Sequence, residues 1–356
     1  MLWPGRFLGA NDEAAIAIMA TSQAHADPRG SRWNRWDPHL HAPGTINNDL
    51  FGKDWTGYID AINRSDPPIR ALGITDYYSL DCYREVRKRH LAGELPGVTF
   101  VFPNVEVRIN VATTDGDEIN AHLLFSPRDE DHVEQIERVL SQVDWQFAGT
   151  YYQCNRTGLI ALGKKHKSEV KDDGKAFEEG AKQFKFNYTR LQELFKEDTW
   201  MRENCLVAIS AAEGDGLSGL KTDDSYDATR EELQRMAHII FSGKPSDRVF
   251  WLGGAKGEFR DEIEKKYQGL KPCLHGCDAH SVADVGRPKL NRYCWIKGDL
   301  TFEALRQTVI DPAVRVAIGE EAPALPAPRW SSIPSDQSAR LGSRMPRFRS
   351  TADWSP

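Results

Sequence analysis

Asp37-Pro38-His39-Leu40-His41 places two imidazoles two residues apart on a strand-like run, and alternate residues of a strand share one face. Both rings can therefore grip one divalent cation. Asp37 reads as an orienter of an imidazole from behind rather than as a ligand. Gly276-Cys277-Asp278-Ala279-His280 again spaces a carboxylate and an imidazole two apart, and His122 lies in the apolar run Ala121-His122-Leu123-Leu124. His122 alone would read as a core histidine satisfied by a hydrogen bond. Thr75-Asp76 adds a carboxylate, and Glu106 closes the apolar run Val101-Phe102-Pro103-Asn104-Val105, where an acid is costly without a cation or partner. Imidazoles mixed with carboxylates suit Zn, Mn or Fe. Such a donor set supports metal-assisted hydrolysis of a phosphoester, in which paired cations about 3.5–4 Å apart activate water and neutralise the charge on the phosphoryl oxygens. Arg84, Arg108 and Lys164 are candidate clamps for those oxygens.

The elements that must carry these residues alternate. Strand-like runs at 69–75, 98–110 and 119–125 are interleaved with helical periods at 80–91 and 133–143. Further on, a strand at 205–211, a helix at 228–241, a strand at 249–253, a helix at 257–267 and a strand at 272–278 continue the pattern. That order predicts an α/β fold with a largely parallel sheet. The candidate ligands fall at the C-terminal ends of the strands, where a closed or distorted barrel would gather them over one mouth. Periodicity does not separate such a barrel from an open sheet. The charged, glycine-containing stretch 164–184 reads as an inserted loop, a short charged helix over the mouth or a surface excursion. Trp33, Trp36, Tyr77 and Tyr78 are placed near the mouth, either to stack on bases or simply to pack.

With 356 residues and 40% hydrophobic content, one large domain has ample core. Subtracting 52 acids from 46 bases leaves −6, so the whole-molecule field offers nucleic acid no attraction. Arg87-Lys88-Arg89-His90 and Lys164-Lys165-His166-Lys167 are solvated helix ends or local patches. Six cysteines without a C-x-x-C pair suggest buried free thiols and a reducing cytoplasm. The short apolar run 14–20 follows Asp12 and Glu13, where a secretory signal needs positive charge, and no run reaches the ~18 apolar residues of a membrane helix. The expected organisation is an N-terminal extension at 1–30, a catalytic domain at 31–319, and an Ala/Pro-rich linker with a Ser/Arg/Pro-rich tail at 320–356.

In order, D-x-H-x-H, T-D, an isolated Glu, a His and D-A-H over 32–319 resemble the PHP (polymerase and histidinol phosphatase) superfamily of metal-dependent phosphoesterases. Residues 30–45, the turn 215–220 and the stretch 295–302 are similar to TrlF-type PHP modules, which usually precede an SMC-like or AAA-like ATPase. The resemblance implies a distorted (β/α)7 barrel with the metal site at the C-terminal ends of the strands. Glu106 then bridges two divalent metal ions, His39, His41, His122, Asp278 and His280 are metal ligands, and His280 or Asp76 moves the proton. It also implies a nucleotide or nucleic-acid ester as substrate, a role in antiviral defence, and an ATPase partner. No G-x-x-x-x-G-K-[ST] occurs in the sequence, so that ATPase is expected to be encoded separately or absent.

Three positions depart from the family pattern. Tyr77 stands where T-D-H has its His, the Ile46-Asn47-Asn48 stretch lacks one, and Ser210-Ala211-Ala212 replaces a late A-H-P. Two cations rather than three are therefore expected, one on His39, His41, Glu106 and Asp278, the other on Glu106 and His122 with His280 or Asp76. The alternative is a degenerate module whose metal is structural and which serves as an interaction surface for an ATPase.

Overall fold

The computed structural model describes residues 31–112, 118–212, 216–219 and 227–324. The expected N-terminal extension, and the tail from 325 onward, lie outside the described residues.

Nine strands form one sheet. In chain order they are β1 (Trp33–His41), β2 (Ala71–Tyr77), β3 (Phe100–Ala112) and β4 (Glu118–Phe125), then a separate hairpin β5 (Asp144–Phe147) and β6 (Thr150–Gln153). There follow β7 (Cys205–Ser210), β8 (Ile239–Phe241), β9 (Cys273–Leu274), β10 (Tyr293–Lys297) and β11 (Val316–Gly319). The sheet order is β11-β10-β1-β2-β3-β4-β7-β8-β9. It curls until its two edges meet: β9 packs near β11, and the segment after β9 joins β1, with the Asp278 N–H donating to the His39 carbonyl at 2.9 Å. This is the expected distorted barrel, seven strands from β1 to β9 with β10 and β11 as an outer flap on β1.

The sheet is less parallel than expected. β4 runs antiparallel to both β3 and β7, while β1-β2-β3 and β7-β8-β9 are parallel sets. The cause between β3 and β4 is local, since only residues 113–117 lie between them and so short a connection can join only antiparallel strands. Residues 249–253, expected as a strand, lie largely in the helix Pro245–Trp251. Pro245 and Asp247, both in its first turn, set a helix that the β-favouring Val249-Phe250-Trp251 does not overturn. The expected helix 228–241 stops at Met236, and Ile239–Phe241 becomes the buried strand β8.

The charged stretch 164–184 is a pair of helices, α4 (Arg156–His166) and α5 (Asp173–Gln183), where α1 is Trp55–Asn63, α2 Asp81–Leu91 and α3 His132–Leu140. Asn155 and Asp172 cap them by accepting the N–H of Gly158 and Lys175. A Cβ on Gly163 would stand 1.9 Å from the Ala176 carbonyl, and one on Gly180 1.9 Å from that of Leu159, so only glycine allows this close a crossing.

Alternation along the strands sorts two cores. Leu72, Ile74, Val105, Val107, Leu123, Val207 and Ile209 face outward beneath the helices. Trp36, Ala71, Phe102, Leu124, Ala208, Ile239 and Leu274 fill the barrel interior. Glu106 shares the parity of Phe102, and His122 that of Leu124, so both must stand on the interior face above this apolar plug. β1 would fail the same rule, because Trp36 is even while His39 and His41 are odd. A bulge between Asp37 and Leu40 resolves it. Pro38 has no N–H to give the ladder, the register slips there, and Leu40 turns outward while both imidazoles turn in.

Candidate metal centre

Four side chains from three directions converge over the plug. Glu106 Oε2 lies 3.7 Å from His39 Nε2 and 3.4 Å from His41 Nε2, and Asp278 Oδ1 lies 3.2 Å and 3.6 Å from the same two nitrogens. A tetrahedral ion with bonds of about 2.0–2.1 Å separates its ligands by roughly 3.3–3.4 Å. The four imidazole–carboxylate distances straddle that value, with His39, His41 and Glu106 forming one compact donor group and Asp278 standing beside it in a second group with His41. His39 Nε2, His41 Nε2 and Glu106 Oε2 are buried and have no hydrogen-bond partner among the described residues, a costly condition that a cation in their midst removes. The donor set fits a divalent metal.

The surroundings aim these atoms. Thr45 Oγ1 donates its one proton to Asp76 Oδ1 at 3.3 Å, so at 3.0 Å from His41 Nδ1 it accepts the ring proton. That fixes the tautomer and turns the lone pair of His41 Nε2 toward the centre. Asp76 Oδ1 also accepts the N–H groups of Ile46 and Tyr77, and burial lifts its pKa to about 6. Asn104 works similarly. Its Oδ1 accepts from His122 Nδ1 at 3.1 Å, while its Nδ2 donates to the Pro38 carbonyl and to Thr75 Oγ1. Asp37, expected to orient an imidazole, accepts the Cys277 N–H at 3.1 Å instead and so anchors the turn that presents Asp278. Gly276 makes this contact feasible, since a Cβ there would meet His39 Cβ at 2.6 Å and Asp37 Oδ1 at 2.7 Å.

His280 stacks on His41 with ring centroids 4.1 Å apart, and its Nε2 lies 3.6 Å from Asp278 Oδ1. Donor atoms of His41, Asp278 and His280 form a second compact group that shares His41 with the group of His39, His41 and Glu106. His122 belongs to neither, although its ring stands 4.4 Å from that of His39. It comes from the middle of the reversed strand β4, opposite Glu106, and not from a strand's C-terminal end.

Charge follows the packing. Burial works against a charged His39 ring, but Asp278 and Glu106 beside it lift its pKa to about 9. Burial keeps His41 low and takes His122 down to about 3, so both are neutral at pH 7. Burial also opposes the Glu106 anion, yet its imidazole neighbours hold it ionised, chiefly the protonated His39 since His122 is uncharged at neutral pH. Partial desolvation would raise Asp278, but His39 and His280 hold it at about 2.

Other expectations fall elsewhere. Trp33 starts β1, on the order of 25 Å of strand from His41, and Trp36 lies five residues before His41, on the order of 15 Å away. Trp36 packs on Phe100 and Phe102 in the plug. Tyr77 is buried against His41, and Tyr78 donates to the Phe184 carbonyl, so neither offers a face to a base. Arg84 pairs with Asp81 and Glu137, Arg108 with Glu118, and Lys164 with Asp173. Sequence reading passed over His275, whose buried Nε2 has no partner among the described residues, and over Phe241, which stacks on His39 at 5.5 Å. Both line a cavity of about 570 Å³ that opens onto His39, His122 and Asp278.

No family model and no curated protein matches this chain. Ten solved chains do, among them a candidate metal-dependent phosphoesterase from Bifidobacterium adolescentis, 13% identical, with a TM-score of 0.35 over 78% of this chain and 96% of that one. So weak a likeness transfers no residue role. No helix among the described residues is long and apolar enough to cross a membrane.

Proposed function

We propose that this chain is a metal-dependent phosphoesterase. The observation that carries the reading is the set of four ligand edges, 3.2–3.7 Å, around buried and otherwise unpartnered imidazole and carboxylate atoms. His39, His41, Glu106 and Asp278 hold the ion. A divalent cation bound there supplies Lewis-acid polarisation of a phosphoryl oxygen and a lowered pKa for water.

The chain's own residues do the rest. Phe241 and the apolar plug keep bulk water off the inner side of the centre, which strengthens every charge interaction within it. Asp76, through Thr45, positions His41. His280 faces the outer side, with its Nε2 near Asp278 and a buried, unpartnered Nδ1, and is our candidate to hold the proton passed during hydrolysis. Glu106 and His122, neighbours on paired strands, offer a place for a second cation. The neighbouring cavity, about 570 Å³, has the size of a small-molecule site and suits a nucleotide or a nucleic-acid end. A partner ATPase and a defence role rest on the motif resemblance alone.

Metal analysis of the purified chain followed by a phosphatase and nuclease screen with Zn and Mn tests this reading. Metal bound with phosphoester turnover supports it. Metal bound tightly with no turnover of monoesters, diesters or nucleic acid would favour the structural-metal alternative.

A further inference from the structure

The cavity beside the metal centre has a wall that metal chemistry does not use. Lys289 and Arg292 stand just before β10 and line the cavity, Lys244 lines the same space, and so does His275, whose buried Nε2 has no hydrogen-bond partner among the described residues. The only acid among the described lining residues is Asp278, which is committed to the centre. Neither Lys289 nor Arg292 forms an ion pair among the described residues, although cations lining another cavity, Arg84 and Arg156, are both tied to carboxylates. In a chain of net charge −6, unpaired cations gathered on one cavity wall call for a ligand.

The backbone gives a second and independent sign. Leu290 and Asn291, between the two cations, both adopt left-handed conformations, with φ of 58° and 50°. Two consecutive non-glycine residues in that region cost energy, and such strain persists where a loop must present side chains in one arrangement. Leu290 is 77% exposed at the rim, so burial of that side chain does not explain the loop.

We propose that Lys289 and Arg292, with His275 of the same cavity, bind a second anionic group of the substrate, distinct from the phosphoester at the metal centre. The group is a phosphate or a carboxylate on the same molecule. Arg292 supplies a forked donor, Lys289 a point charge and His275 a hydrogen bond from a neutral ring. The proposal rests on the phosphoesterase reading for its substrate, not for its binding site.

The test compares three esters on the metal-loaded protein: 4-nitrophenyl phosphate with no second anion, 4-carboxyphenyl phosphate, and a dinucleotide carrying a 5′-phosphate. In the Lys289→Ala/Arg292→Ala double variant, preference for the ester with the second anion over 4-nitrophenyl phosphate should fall by about tenfold or more, through KM rather than kcat. Which of the two anionic esters loses its preference tells phosphate from carboxylate. Arg292→Lys should retain part of it. Unchanged preference, or an equal loss on all three esters, would overturn the proposal. Calorimetry with inorganic pyrophosphate gives a readout free of turnover. If no ester is hydrolysed but pyrophosphate binds the wild type and not the double variant, the subsite stands and the activity reading falls. If pyrophosphate binds both alike or neither, the subsite falls.

Discussion

The barrel mouth and the wall built by α2, α3 and α4 both concentrate charge, yet they treat it in opposite ways. On the wall, Arg84 meets Glu137 at 2.6 Å and Arg156 meets Asp81 at 2.8 Å, all four side chains largely exposed, and each charge has its answer within the protein. At the mouth, His39, His41 and Glu106 bury donor atoms without hydrogen-bond partners among the described residues, and Lys289 and Arg292 line the adjoining cavity without an ion pair among them. Solvated pairs can be added or removed at little cost. Buried unpartnered groups are costly, and several gathered at one point call for something outside the chain to complete them. The contrast separates surface electrostatics from a site.

The largest effect should come from His39→Ala, which removes a donor that stands near both Glu106 and Asp278. Metal content after dialysis and phosphoester turnover should both vanish, and the metal-dependent part of the melting temperature with them. Full metal retention would erase the distinction drawn between mouth and wall.

A smaller loss is expected one bond further out. Thr45→Val keeps the shape of the side chain and deletes the hydroxyl between His41 and Asp76, so the imidazole loses what fixes its tautomer. Metal affinity should drop about 10–100-fold, and Thr45→Ser should restore most of it. An unaltered affinity would mean that the Asp76 network only packs the loop.

Proton counting sharpens the same point. The lifted pKa of His39, about 9, means that the metal-free protein carries an imidazolium which must lose its proton to bind a cation. Metal uptake near about pH 7.5 should therefore release close to one proton per chain, and affinity should rise about tenfold per pH unit up to about 9. His41, already neutral through burial, should add nothing in that window. Calorimetry in buffers of different ionisation enthalpy reads the number directly, and zero protons would contradict the charge state assigned to the centre.

The smallest effect belongs to the wall. Arg84→Ala should change stability by less than about 1 kcal/mol and leave metal affinity untouched, since its partners are exposed and solvent-screened.

How legible all this was depends on the kind of physics involved. His39, His41, Glu106, Asp278 and His280 could be gathered from sequence because each is a ligand type at a spacing a strand or tight turn enforces. Pro38 even marks the bulge, since a proline must interrupt a central ladder. Thr45, Asn104 and His275 could not be gathered, because their roles depend on which neighbours the fold supplies across more than one strand. Val249-Phe250-Trp251 misled for a related reason: β-favouring residues were outvoted by a proline start and by packing of Trp251 against Tyr267. Trp36 misled because aromatic chemistry carries no information about which end of a strand it occupies.

The central claim is that four atoms form one cation site, and anomalous diffraction from crystals of the metal-loaded protein tests it most directly. A peak bonded to His39 Nε2, His41 Nε2, Glu106 Oε2 and Asp278 Oδ1, at about 2.0–2.2 Å from each, is the predicted result. A fully loaded crystal whose ion lies away from these atoms, or touches His39 and His41 without Glu106 and Asp278, would contradict it.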